Sequence, residues 1–305
     1  MNSKLTLPFK STVDLAFSHC ASHSPPSPRP PIILLHGVFG SRKNFLTLGK
    51  ELSKILNTDI YSVDLRNHGS SPRARPYDYV TLSRDLSLFC ANNIGVDVPV
   101  SILGFSMGGR VGLLSSLSKT LKVEKCISID MPPYRLARLN RLLLENIAKI
   151  RDICERRIKI KKGAKEWQKQ VLREFQSIPA NDKLSVILYF ASGFLSVKSN
   201  AKPYEPSLDE DPYITFANPI LQMPGLIEDL RDWPSADRLS YEGYNATTDT
   251  VTLFLKGLKS PFIENDYSLL AEHFPNFKVE EFNTGHIIMG EEPARFQESV
   301  VRFFS

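Results

Sequence analysis

The sequence predicts an α/β protein, a doubly wound and mostly parallel sheet interrupted by a helical insertion. Three observations carry this expectation. Short apolar runs such as "IILLHG" (32–37) and "VPVSILGF" (98–105) have the unbroken hydrophobicity of strands covered on both faces. Amphipathic stretches of helical period alternate with such runs up to about residue 131. The alternation then stops at Pro132 and resumes near Thr250.

Taken in order, "STVDLAFSHC" (11–20) alternates as an early strand does, and "SHSPPSPRPP" (22–31) is a proline-rich loop, because proline donates no ladder hydrogen bond. "NFLTLGKELSKIL" (44–56) is a helix after the "IILLHG" strand, and "DIYSVDL" (59–65) is the next strand. A helix over 79–94 precedes the strand 98–105, and "MGGRVGLLSSLSKT" (107–120) is the helix after it. "VEKCISID" (123–130) closes this first core part, 1–131. The insertion, 132–245, opens on strongly helical sequence and contains "YEPSLDEDPY" (204–213), an expected exposed turn. The second core part, 246–305, carries strands at 250–257 and 277–283 and helices at 267–275 and 293–304.

The totals bound the function. With 305 residues, 42% hydrophobic and 23% charged, the chain can bury a large core. A net charge of +5 is too dilute to argue for nucleic acid. No apolar run reaches the roughly 18 residues of a membrane-spanning helix. Cys20, Cys90, Cys126 and Cys154 form no CxxC pair, which argues against a zinc site or a disulfide framework and for a reducing compartment. Cys90 and Cys126 read as core residues. The Asn245-Ala-Thr sequon reads as chance in that setting. The N-terminus lacks the apolar segment of a secretory signal, and its first arginine is Arg29, unlike an Arg-rich mitochondrial presequence.

Chemistry enters at "GFSMG" (104–108). A serine at a very tight strand-to-helix turn takes a strained backbone conformation, so the residues two away on each side must be nearly without side chains. The turn lifts the Ser106 hydroxyl above the sheet and aims the Met107 N–H and the helix N-terminus at one spot, where a negative oxygen would be stabilised. A serine hydroxyl needs a base to take its proton. Of the six histidines, His286 in "FNTGHIIMG" follows the last strand at a glycine turn and is the one placed to reach Ser106. His19 and His23 lie at the N-terminal strand and loop, His36 and His68 in glycine turns, and His273 inside an expected helix. The base needs an orienting carboxylate. Asp130, ending the strand "CISID", is preferred over Glu264 and Asp266, which lie beyond "LKSPF". Val38, after Gly37, is the candidate second oxyanion donor, and Phe39 and Phe105 are candidate pocket residues. Loss of one such donor typically costs about 2.7–4 kcal/mol of transition-state stabilisation. Arg66, Asn67 and His68 read as loop-holding residues rather than catalytic ones.

These segments, "LLHGVFGS", "VDLRNHGSSP", "GFSMGG", "SIDMPP" and "NTGHII", resemble the α/β-hydrolase superfamily over nearly the whole chain and stand in its order of serine, acid and histidine. The acid 24 residues after the serine (130 − 106) resembles the branch holding bacterial short-chain esterases, mitochondrial abhydrolase-domain proteins and fungal ethanol acetyltransferases. One departure is Phe105, where histidine is common. The resemblance implies the α/β-hydrolase fold with a helical cap, and catalysis by Ser106, His286 and Asp130 without a metal or other cofactor.

A second departure is the long helical insertion, so the resemblance carries over no substrate. The serine chemistry itself leads to a small acyl ester or thioester as the expected substrate, and the resemblance implies a mitochondrial location, with the cytoplasm as the alternative. The leading expectation is a serine hydrolase working through an acyl-enzyme. The alternative is transfer of the same acyl group to an alcohol. A non-catalytic binding protein on this fold is the third reading, disfavoured because no triad member is missing. "ERRIKIKKGAKEWQK" (155–169) carries seven basic residues. Its simpler reading is a solvated helix face, and the sharper one is contact with an anionic membrane surface or acyl carrier. Oligomeric state has no signal in the sequence.

Overall fold

A computed structural model describes residues 7–23, 29–195 and 212–305. Among the described residues seven strands form one sheet: β1 (Phe17–Cys20), β2 (Ile32–Leu35), β3 (Ile60–Val63), β4 (Val100–Phe105), β5 (Val123–Ile129), β6 (Val251–Gly257) and β7 (Phe277–Phe282). Their order is β1-β3-β2-β4-β5-β6-β7. Only β1 runs antiparallel to its neighbour, and the others are parallel. Every residue of β2 and β4 is buried, as their unbroken apolar runs require at the centre of a two-sided sheet.

Helices cover both faces. α1 (Leu46–Leu56) packs with α11 (Pro293–Phe304), and α2 (Tyr79–Asn93) with α3 (Met107–Ser116). The local chemistry sets their ends. Asp78 accepts a hydrogen bond from the Thr81 N–H at the start of α2, and Asn57 takes a left-handed conformation to end α1. Pro293 opens α11, where its missing N–H costs nothing.

Between β5 and β6 lie α4 (Arg141–Cys154), α5 (Trp167–Gln176), α6 (Leu184–Leu195), α7 (Leu226–Arg231) and α8 (Ala236–Tyr241). α4, α5 and α6 bury Ile147, Ile150, Val171, Phe175 and Phe190 in the hydrophobic core. A buried pair, Asn146 and Asn181, exchanges side-chain amide hydrogen bonds of 2.7 and 3.0 Å inside this layer.

Several boundaries differ from expectation. The first strand is only Phe17–Cys20. α3 ends at Ser116, not residue 120. The helix expected over 267–275 shrinks to α9 (Ser268–Ala271), because Pro275 cannot continue a helix and His273 instead bonds the Ala246 carbonyl at 2.7 Å. His273 therefore lies in a turn. The 155–169 stretch is not one helix face. Arg156, Gly163 and Glu166 have positive φ, so the chain from 155 to 166 turns between α4 and α5. Arg157 pairs there with Asp152 and Glu155, and Lys169 with Glu166. The turn expected over 204–213 falls, except for its last two residues, outside the described residues. α10 (Ile288–Glu291) completes the elements beside the site.

Candidate active site

Ser106 sits between β4 and α3 with φ 53° and ψ −118°. A non-glycine residue there carries about 1–3 kcal/mol of backbone strain, held by its surroundings. The flanking glycines are required by contact. A Cβ on Gly104 would lie 2.2 Å from the Gly108 carbonyl oxygen, and one on Gly108 would lie 2.4 Å from the Leu35 carbonyl oxygen. The elbow is thus two backbones pressed together with no room for a methyl group.

The topology gathers three side chains at the C-terminal edge of the sheet. His286 Nε2 is 2.9 Å from Ser106 Oγ, and His286 Nδ1 is 2.7 Å from Asp130 Oδ2. Asp130 also has positive φ (50°), and its other oxygen accepts the Gly257 N–H at 3.0 Å. The carboxylate is therefore anchored from β6 while it faces the histidine. Asp130 is fully buried, and Ser106 and His286 are only 5% and 8% exposed, so this chain of hydrogen bonds is shielded from water. Burial raises the Asp130 carboxyl above its ordinary range, against the opposing pull of His286 and the Gly257 amide. The imidazole lies between two aromatic rings, Phe105 at 4.9 Å and Phe262 at 4.6 Å. Glu264 and Asp266 are exposed, and neither bonds His286. A hydroxyl bonded to one nitrogen of an imidazole, with a carboxylate on the other, is equipped for nucleophilic attack with proton transfer.

The loop after β2 approaches the same edge. The Val38 and Met107 amides donate to no protein acceptor among the described residues. The Gly37 carbonyl accepts from His36 Nδ1 at 2.8 Å and from the Gly40 N–H at 3.0 Å. The Phe39 N–H donates to His68 Nε2 at 3.1 Å. Phe39 is buried against Phe190 and Phe216, while Phe105 lines a cavity of about 240 Å³ between α6 and residues 287–290. Phe39 is not among that cavity's walls.

His36 and His68 are held neutral. Each uses Nε2 to accept a backbone N–H, from Leu65 and Phe39 respectively, and Nδ1 to donate to a carbonyl. Burial lowers both below the ordinary imidazole value of 6.5, His68 well below it, with His36 adding to the depression at His68. A folded-state value below the unfolded one means the unfolded chain binds more protons. The stabilisation is therefore complete above about pH 6.5 and is lost as pH falls from there toward the lowered folded values. Denaturation midpoints measured from pH 8 to pH 5 are expected to fall below pH 6.5, and His68→Gln is expected to flatten that decline.

Two buried arginines hold the frame. Arg66 pairs with Asp85 at 2.6 and 2.7 Å, both side chains being fully inaccessible, and also donates to the Lys10, Ser11 and Pro76 carbonyls. Asn67 brackets Ala74 with bonds to its N–H and carbonyl, so the 65–74 loop is tied at three successive residues, Arg66, Asn67 and His68. Arg110, one turn beyond the serine, donates to the carbonyls of Pro132, Tyr134, Leu230 and Asp232. It thus joins α3 to both ends of the insertion. Sequence reasoning missed Arg110. Its signal was the lone charge in the otherwise small and apolar "MGGRVGLL". Phe262 and Tyr189 were missed too, and no spacing marks them.

Among the described residues no group of three or more His, Cys, Asp or Glu could hold a metal ion, and no helix is long and apolar enough to cross a membrane. Comparison with known proteins agrees with the fold. Residues 30–293 match the family described as alpha/beta hydrolase fold. A probable alcohol acetyltransferase of Wickerhamomyces anomalus is 30% identical over 99% of this chain and 88% of its own length. A second probable alcohol acetyltransferase, from Cyberlindnera jadinii, is 32% identical over 98% of this chain and 83% of its own. Among solved structures, a marine microorganism esterase superposes with a TM-score of 0.75 at 23% identity, covering 95% of this chain and 99% of that one. An esterase from Exiguobacterium antarcticum gives 0.60 at 21% identity, covering 96% of each. The chain belongs to the α/β-hydrolase superfamily of enzymes.

Proposed function

We propose that this enzyme transfers acyl groups through Ser106, cleaving carboxylic esters or thioesters by way of an acyl-enzyme. The observation that carries the reading is the buried chain from Ser106 Oγ through His286 to Asp130, at 2.9 and 2.7 Å. Ser106 Oγ attacks the acyl carbonyl while His286 Nε2 takes its proton. The carbonyl oxygen becomes an oxyanion received by the Val38 and Met107 N–H groups. Collapse breaks the bond to the leaving alcohol or thiol, which takes the proton from His286. Water then attacks the acyl-serine, His286 accepts its proton, and the acid is released. Asp130 keeps the imidazole in the tautomer with hydrogen on Nδ1 and stabilises its cationic form.

The second acyl acceptor is an alcohol in place of water. The names of the Wickerhamomyces and Cyberlindnera relatives, each a "probable alcohol acetyltransferase", favour this version and an acetyl donor. Both versions share one acyl-enzyme, so one experiment addresses them. The purified enzyme is incubated with p-nitrophenyl acetate or acetyl-CoA, with and without ethanol, beside a Ser106→Ala control, and products and intact mass are read. An acetyl adduct mapping to Ser106 is expected. Acetate alone assigns hydrolysis, and ethyl acetate in excess over acetate assigns transfer. Turnover that survives Ser106→Ala refutes the reading. The mitochondrial location implied by the resemblance belongs to the same proposal, and co-localisation of a tagged chain with a matrix marker tests it.

A further inference from the structure

Tyr189 stands on α6, in the insertion, and donates its hydroxyl to the Val38 carbonyl oxygen at 2.8 Å. From this contact we infer that Tyr189 is a positioning residue for the oxyanion loop, so that the insertion completes the donor set of the active site. The inference rests on the assignment of the Val38 N–H as an oxyanion donor.

The argument follows the peptide planes. Each peptide is planar and trans, so fixing its carbonyl fixes the direction of its N–H. The 37–38 peptide, which carries the Val38 N–H, has its carbonyl held by His36 and by the Gly40 amide. The next peptide, 38–39, is held at its N–H by His68 and at its carbonyl by Tyr189. His36, Gly40 and His68 belong to the core, whereas Tyr189 reaches the loop from the insertion. Phe39 has φ 68°, a left-handed conformation that a phenylalanine keeps only where its surroundings demand it. Release of one end of the 38–39 peptide lets that strain relax through the Val38 backbone and turns the donor away from its target.

The surroundings make the hydroxyl the specific tie. An added Cβ on Gly37 would lie 2.8 Å from both the Tyr189 hydroxyl and Phe105 Cδ1, so the loop has been kept bare for these two rings. Tyr189 meets Phe105 edge-to-face at 5.6 Å, and Phe105 in turn lies against His286. Beside this contact the seam between α6 and the core opens into the 240 Å³ cavity, bordered by Ser185, Leu188 and Ile287. Phe190, the next residue of α6, packs against Phe39, so ring contacts keep the helix near the loop while the Tyr189 hydroxyl fixes the direction of the 38–39 peptide. Burial also keeps the phenol far above its ordinary value, so it remains a donor through the working pH range.

Tyr189→Phe removes the hydroxyl and keeps the ring. The test measures kcat and KM for p-nitrophenyl acetate, inhibition by trifluoroacetone, which adds to a serine hydroxyl and places an oxyanion among its donors, and the urea midpoint. kcat is expected to fall about tenfold and trifluoroacetone affinity by the same factor, because one donor of the hole is misaimed rather than removed. KM and the urea midpoint are expected to hold. Leu184→Ala, on the same helix but 63% exposed and outside the cavity wall, is the control and is expected to change neither kcat nor inhibition beyond about twofold. A rise in KM at constant kcat, or a lower kcat with trifluoroacetone affinity unchanged, overturns the inference. Fluorophosphonate labelling of the unmutated enzyme separates the two levels. Absence of label at Ser106 removes the underlying assignment and this inference with it. Label at Ser106 with a Tyr189→Phe enzyme indistinguishable from the unmutated one removes the inference alone.

Discussion

Asp130→Asn is expected to lower kcat for p-nitrophenyl acetate about 10⁴-fold while leaving the fold intact. The reason lies in the second bond of the carboxylate. One oxygen accepts the buried Gly257 N–H and the other faces His286 Nδ1. An asparagine has a single oxygen to offer. Directed at Gly257, it leaves its NH₂ group facing His286, which forces Nδ1 to accept and moves the imidazole proton to Nε2. That nitrogen then donates to Ser106 and has no lone pair for its proton. The opposite orientation sets two buried donors against each other at Gly257, at a cost of about 1–3 kcal/mol. The measurement is steady-state turnover of the variant, with a denaturation curve to show that it folds. A loss of less than about tenfold would mean that Asp130 is not the orienting acid.

The second large effect falls on stability. Asp85→Asn is expected to cost about 3–5 kcal/mol, read as a lowered urea midpoint at unchanged slope. Asp85 and Arg66 are both fully buried, and Asp85 also accepts the Val13 N–H at 2.9 Å. The substitution leaves a guanidinium in the interior with no opposing charge, and with one neutral amide oxygen in place of the two carboxylate oxygens it now bonds. Burial raises the Asp85 carboxyl above its ordinary value even with Arg66 beside it, so the pair has been bought at real desolvation cost. It follows that replacing both partners together, Arg66→Met with Asp85→Leu, is expected to destabilise less than Asp85→Asn alone. A double variant as unstable as the sum of the two single variants would show that the ion pair has no special coupling.

The legible parts of this molecule were those whose physics is local. "IILL" and "VSILGF" announce central strands because both faces of such strands are buried. "GFSMG" announces the elbow because only bare backbone fits at Gly104 and Gly108. Asp130 and His286 could be nominated from their places after strands, since a parallel sheet delivers strand ends to one edge. What stayed hidden was long-range contact. The bond from Tyr189 to Val38 spans 151 residues, and no pattern around either residue advertises it. The basic run 155–169 misled because composition alone favours a helix, whereas three positive-φ residues break it.

The anchoring of Asp130 by Gly257 has a consequence for how the enzyme comes into being. The two residues are 127 positions apart, on adjacent strands with the insertion between them. Ser106 and its elbow draw on β2, β4 and α3, all complete before the insertion is reached. The carboxylate is not seated until β6 has closed that long loop, and His286 arrives later still. Long-range closures of this kind are slow because the chain entropy is spent before the contact repays it. On dilution from urea, circular dichroism is therefore expected to recover ahead of the proposed turnover of p-nitrophenyl acetate. On the proposed mechanism, the ribosome releases the nucleophile well before the base that activates it, so the nascent chain carries an inert serine until its last strand is in place.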